Sequence, residues 1–211
     1  MPGIAPAETR VTDRGSARRQ AFLVAARAEF LARGYEAANV NEVVRNAGGS
    51  LATLYAQFGN KEGLFLAVME DQHARFIADF STDEAQGLRL EQGLQIIGLR
   101  IIHAFLKPDN LAFYRITIGE GAKFPHLLQR YVGSGGASTV RSAMAAYLAT
   151  HASADGRAVA DPEASASFFL ELMRARIHYR ALSDATFAPT EDELAAHVRA
   201  GVHVLLHGML A

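Results

Sequence analysis

The chain of 211 residues is predicted to be all-α, with nine or ten helices. Three observations carry that prediction. Apolar residues recur at helical spacing from Ala17 to Leu210, no stretch alternates as a strand would, and the breaks between periodic stretches fall at Gly, Pro, Asn, Ser and Asp, which start and stop helices. There are no internal repeats.

Residues 1–16 are rich in Pro, Gly, Ala and Thr without an apolar period, and read as a flexible arm. From Ala17 to Arg33 the apolar positions Phe22, Ala25, Ala26, Phe30 and Leu31 form one stripe, which Gly34 ends. Asn39 with Glu42 three residues on is a capping-box pattern for a short helix that stops at Gly48-Gly49. Ser50 caps Leu51–Phe58, and Asn60 caps a helix from Lys61 to Phe80. Further helices are expected over Leu88–Leu106, Asp109–Ala122, from Pro125 onward, and over Ser138–His151, Glu163–Leu182 and Glu191–Leu210.

Cysteine is absent, which excludes disulfides and thiolate metal sites. The first residues show no charged region followed by an apolar core, and no apolar run reaches membrane-spanning length. A soluble, cytoplasmic protein is expected. The net charge of −1 is uneven: residues 9–65 hold eight Lys/Arg against five acids. DNA binding needs such local positive charge rather than a basic protein overall.

Two short helices joined by a glycine turn make a DNA-reading device, because the steep crossing needs a residue tolerant of positive φ. Gly48 supplies it. Leu54 and Phe58, four apart, form the buried face of the second helix, leaving Ser50, Leu51, Ala52, Thr53, Tyr55 and Gln57 for DNA. The small Ala52 and Thr53 near the helix N-terminus allow close approach to bases. Tyr55 and Lys61 suit phosphate contacts. Arg14, Arg18 and Arg19 of the arm and first helix could add groove or phosphate contacts.

With Phe30, Gly34, Tyr35, Val40, Ala47, Gly48, Ser50, Thr53, Leu54, Tyr55, Phe58, Lys61, Glu62 and Leu64 at fixed spacing, residues 18–68 resemble the DNA-binding domain of TetR-type transcriptional regulators. The resemblance implies that Thr53 and Leu51 face bases while Asn39, Tyr55, Gln57 and Lys61 hold phosphates. The chain departs from the family pattern in several places. Gly49 stands where Val is usual, at the expense of a turn contact, and Ala38-Asn39 replaces Thr-Thr. Leu51 and Ala56-Gln57 reduce the polar reach of the recognition helix, shifting weight toward thymine methyls and the arginines.

Phe113 to Leu127 resembles the ligand-domain segment of the AefR-like branch of these regulators. The resemblance implies three regions: the arm (1–16), a three-helix helix-turn-helix domain (17–65) and a helical ligand-binding and dimerisation domain (66–211). Candidate cavity residues are Arg100, Ile102, His103, Phe105, Phe113, Ile116, Phe124, Tyr147, Phe169 and Met173, each of which also suits a plain core or surface role. The last two helices are apolar over a broad arc. Phe168, Leu172, Ile177, Val198, Val202, Leu205, Leu206 and Met209 are therefore expected to pair two copies.

No catalytic constellation is present, so an enzyme is not expected, and neither is a cofactor or a metal. The expected function is a ligand-responsive homodimeric repressor that binds a palindromic double-stranded operator and is released by a small-molecule effector, with no membrane partner. Two alternatives stay open. One is an interaction protein of the same fold with degraded DNA reading. The other is an all-α metal binder using His103, Glu120 or the His203/His207 pair at i and i+4.

Overall fold

The computed structural model describes the backbone of residues 8–78, 80–120, 125 and 136–208, and the side chains of residues 15–78, 80–120, 125 and 139–208. Among the described residues the elements are nine α-helices and one 3-10 turn. They are α1 (Glu8–Ala37), α2 (Val40–Ala47), α3 (Leu51–Phe58), α4 (Lys61–Ala78), the turn Asp83–Ala85, α5 (Leu90–Leu106), α6 (Pro108–Glu120), α7 (Gly136–Ala154), α8 (Pro162–Ser183) and α9 (Glu191–His207). No strand occurs among them. The all-α expectation holds, but α1 begins at Glu8, so residues 8–16 of the expected arm are helical.

The chain forms two compact units, Met1–Gln72 and His73–Ala211. Their boundary lies inside α4, further along the chain than the expected division after residue 65. In the first unit Phe22, Ala26, Phe30, Val43, Leu54, Leu64, Phe65 and Val68 are buried. Phe22 meets Phe58 edge-on with centroids 6.3 Å apart, and Phe30 meets Phe65 at 5.0 Å. Such edge-to-face pairs fix how α1 crosses α3 and α4 as well as supplying burial.

The second unit is built around α5, which packs on α8 and α9. Gly98 lets them come close: a Cβ there would lie 2.7 Å from Val198 Cγ1 and 2.9 Å from Met173 Sδ. Several residues expected at a cavity or at an interface are buried in this unit. Ile102, Phe169 and Met173 are fully buried packing residues, and Phe113 is equally buried on α6. Tyr147 is buried, and its hydroxyl donates to the Ala85 carbonyl at 3.3 Å. Ile177, Val198 and Val202, expected on the face between two copies, also lie in this core. The apolar arc of the last two helices is wide because much of it packs into the core of this unit.

Cationic side chains close several helix C-termini, where orphan carbonyls and the helix dipole attract them. Arg115 donates from Nε to Leu182 O and from Nη2 to Ala181 O, both at 2.8 Å, at the end of α8. Arg157 donates to Leu206 O at 3.0 Å on α9. At the other end of α5, Asp155 reaches across 65 residues to accept the Leu90 N–H at 3.1 Å.

Candidate nucleic-acid interface

α2 and α3 are joined by two consecutive positive-φ glycines, Gly48 at 72° and Gly49 at 109°. A Cβ at Gly49 would lie 3.1 Å from Phe22 Cζ. Gly49 is therefore part of the turn's geometry, and the reading of it as a lost valine contact is corrected: valine does not adopt that backbone without strain.

Caps fix both helix starts. Ser50 Oγ accepts the Thr53 N–H at 3.1 Å and shares a hydrogen bond with Thr53 Oγ1 at 2.9 Å. Asn39 Oδ1 accepts the Asn41 N–H at 2.9 Å. The expected reciprocal contact from Glu42 is replaced. The Asn39 N–H donates to Glu29 Oε1 of α1 at 2.9 Å, while Glu42 pairs with Arg45. Glu29 is buried and already in place, whereas Glu42 is drawn to the cation one turn on.

Leu54 and Phe58 are buried, and Ser50, Leu51, Ala52, Thr53 and Tyr55 are exposed. Leu51 is 36% and Tyr55 42% exposed, a large apolar and aromatic surface for so short a helix. Gln57 is only half exposed, and its Oε1 is buried with no hydrogen-bond partner. A carbonyl oxygen gives phosphate nothing, so its amide NH2 alone suits that contact.

The basic residues expected at DNA also hold the unit together. Arg18 donates Nη1 to Ala47 O at 3.2 Å, closing α2 beside the glycine turn. The Arg19 guanidinium lies 4.5 Å from the Phe58 ring centre. Lys61 Nζ donates to Glu36 O at 2.9 Å and stands 5.1 Å from the Tyr35 ring. Arg14 lies outside the described side chains. All three described cations are exposed or half-exposed, with donors to spare.

The second unit holds a cavity of about 60 Å³ lined by His73, Phe76, Phe105, Asn110, Tyr114, Arg174 and His178. Of the expected cavity residues only Phe105 lines it. Arg100 pairs instead with Glu84 at 3.0 Å, and exposed His103 pairs with Glu191 at 3.2 Å. Ile116 is half-buried outside the lining, and Phe124 lies outside the described residues. Arg174 and His178, a cation and an imidazole four apart near the expected dimer helix, suit a solvated or hydrogen-bonded structural role by sequence, and both line this cavity. Burial, with the charges of Arg174 and Arg115, lowers the His178 imidazole to about 4.

A larger groove of about 590 Å³ brings together Phe168, Leu205 and Leu206 of the expected dimer residues, along with Arg157, Val159 and Asp161. Phe168 is 66% exposed, and Leu172 is half-buried. Met209 lies outside the described residues. Among the described residues no group of three or more His, Asp or Glu is placed to hold a metal ion, and no helix is long and apolar enough to cross a membrane.

Comparison with known proteins matches residues 22–68 to the family of bacterial regulatory proteins of the tetR family. Residues 92–208 match the AefR-like transcriptional repressor C-terminal domain. The HTH-type transcriptional repressor ComR of Escherichia coli is 45% identical over 60 residues, 28% of this chain and 29% of ComR. The HTH-type regulator YdgC of Bacillus subtilis, itself uncharacterised, is 35% identical over 105 residues, 46% of this chain and 51% of YdgC. The matched stretches thus span between about a third and a half of those relatives. Among solved structures, a protein described as a TetR-family regulator from Mesorhizobium loti shares the fold with a TM-score of 0.81 at 23% identity, covering 92% of this chain and 96% of that one. The flavonoid-responsive regulator FrrA has a TM-score of 0.74 at 27% identity, covering 90% and 95%. The chain therefore belongs to the TetR family, with an AefR-like C-terminal domain.

Proposed function

We propose that this protein is a homodimeric transcriptional repressor that binds a palindromic operator and is released from it by a small molecule. The observation that carries the reading is α3: a capped helix whose Leu51, Ala52, Thr53 and Tyr55 face solvent while Leu54 and Phe58 anchor it. Thr53 and Leu51 read bases, and the Thr53 methyl and Leu51 suit thymine methyls. Asn39, Tyr55, Lys61 and the amide of Gln57 hold phosphates, with Arg18 and Arg19 alongside. Exposed Phe168, with Leu172, Leu205 and Leu206, meets a second copy, which sets two heads about one DNA turn apart. It acts in the cytoplasm, on the operator.

The effector enters the cavity of α4, α5, α6 and α8. One helix, α4, begins at Lys61 beside the reading head and supplies His73 and Phe76 to that cavity. An effector shifts the repressor only by its different affinity for the two states. FrrA, a relative of the same fold, is named as responsive to flavonoids, which supports a small organic effector here.

A gel-shift titration against the protein's own upstream region tests this reading. Salt-sensitive, sequence-preferring binding is expected, and its absence removes the repressor. The inward Gln57 oxygen favours a second reading, an interaction protein with weakened DNA reading; nanomolar operator binding excludes it.

A further inference from the structure

The cavity of α4, α5, α6 and α8 is aromatic on its walls and cationic at its polar end. Phe76 and Phe105 are stacked, with centroids 5.6 Å apart and planes 8° from parallel. The Arg174 guanidinium lies 4.7 Å from the Phe105 ring centre and 6.0 Å from that of Tyr114. Tyr114 meets His178 edge-on at 4.9 Å. Two residues that line this cage each carry a buried polar atom without a hydrogen bond: Arg174 Nε and His178 Nδ1. His178 is only 2% exposed. A buried polar atom without a protein partner calls for an explanation, and a ligand atom is one.

The two atoms differ in what they accept. Arg174 Nε–H can only donate. His178 is a neutral imidazole, able to donate or accept. Arg115 adds a second positive charge near His178, although its own Nε and Nη2 are spent on the Leu182 and Ala181 carbonyls. Glu171 pairs with Arg174 from the more exposed side. Among the described residues, Arg174 and Arg115 stand against Glu171 at this end, which favours an acceptor that carries negative charge.

We infer that this cavity takes an aromatic anion, its carboxylate or phenolate oxygen on Arg174 and His178 and its ring among Phe76, Phe105 and Tyr114. The inference rests on the effector site proposed above and names the effector's chemical class. The volume of about 60 Å³ admits the anionic group and little more, well below the roughly 300 Å³ of an ordinary ligand pocket. A ring must therefore spread the walls, and one wall is α4. That gives the ligand a different affinity for the closed and opened states, which release requires.

Calorimetric titration of the full chain with 1-naphthoate, 1-naphthamide and cyclohexanecarboxylate tests the assignment. 1-Naphthoate is expected to bind at least tenfold more tightly than the amide, which lacks the charge, and than the alicyclic acid, which lacks the aromatic ring. Arg174→Gln should remove that preference. Arg174→Lys, which keeps the charge but not Nε, should weaken 1-naphthoate at least tenfold. Arg100→Gln, outside the cavity, should leave it unchanged, and thermal melts confirm folding of each variant. Equal binding of acid and amide, no binding of any probe, or full 1-naphthoate affinity in both Arg174 variants would overturn the inference. Operator binding is measured separately without probe. Its loss with Arg174-dependent 1-naphthoate binding removes the repressor and keeps this site, whereas operator binding without anion preference removes this site alone.

Discussion

The buried carboxylate of Glu29 on α1 accepts the backbone N–H of Asn39, the residue that caps α2, at 2.9 Å. It also holds Arg33 at 3.1 Å. One side chain thus ties the end of the first helix to the start of the second. Glu29→Ala is expected to leave that N–H without its acceptor and to destabilise the protein by about 1–3 kcal/mol. Glu29→Gln, which keeps a carbonyl acceptor, should lose less. Urea melts of the three proteins check the order, and equal stability of wild type and Glu29→Ala would contradict it.

Gly49→Val places a β-branched residue at φ 109° with its Cβ 3.1 Å from Phe22. The expected result is a loss of about 1–3 kcal/mol, read as a lower melting temperature. A gain in stability would show that the turn can relax and that the valine contact matters more.

These two positions show where the sequence stops being legible. Helix identity, the Ser50 and Asn60 caps and the buried Leu54 and Phe58 follow from local periodicity and capping chemistry, which act within a few residues. Glu29 on Asn39, Asp155 on Leu90 and Arg115 on the end of α8 span 10 to 67 residues, and nothing local marks them. The expected cavity set differs from the lining of the cavity seen here for a related reason. An apolar residue on a central helix reads the same whether it lines a cavity or fills a core, and Ile102, Phe169 and Met173 fill the core. The same ambiguity put Ile177, Val198 and Val202 at an interface.

His178 gives a pH signature. Its folded-state value of about 4 lies below the ordinary 6.5, so the unfolded chain takes up a proton first as pH falls. Stability is full above about pH 6.5, declines on acidification and has lost this contribution by about pH 4. Allowing for screening, the loss is about 2–3 kcal/mol. Denaturant midpoints between pH 7 and 4 check this, with His178→Gln expected to show a shallower decline. Identical slopes would locate the acid sensitivity elsewhere.

Phe168, exposed on α8 beside the groove shared with Leu205 and Leu206, tests the dimer. Phe168→Glu puts a charge on a surface that pairing would desolvate. It is expected to shift the protein to monomer in sedimentation without lowering its melting temperature at high dilution. An unchanged dimer would place the interface on another face.

On α3, Tyr55→Ala is expected to weaken binding to every duplex by a similar factor, since phosphate contacts carry no sequence information. Lys61→Ala should do the same, reduce the salt slope by about 1 and destabilise the unit, because Lys61 also holds the Glu36 carbonyl. Binding titrations at several salt concentrations, paired with melts, separate the two effects. A Tyr55→Ala loss confined to some sequences would make Tyr55 a base reader.

The central claim is that the exposed face of α3 reads an operator sequence, and Thr53 tests it most directly. Its hydroxyl is shared with Ser50 and its methyl is free to meet a base. Fluorescence anisotropy would compare wild type and Thr53→Ala on a duplex selected from a random library, on variants of it changed one base pair at a time, and on an unrelated duplex. Wild type is expected to prefer the selected duplex by at least a thousandfold, and Thr53→Ala to relax that preference at one symmetric pair of positions while keeping its affinity for unrelated DNA. Equal wild-type affinity for selected and unrelated duplexes would contradict the account.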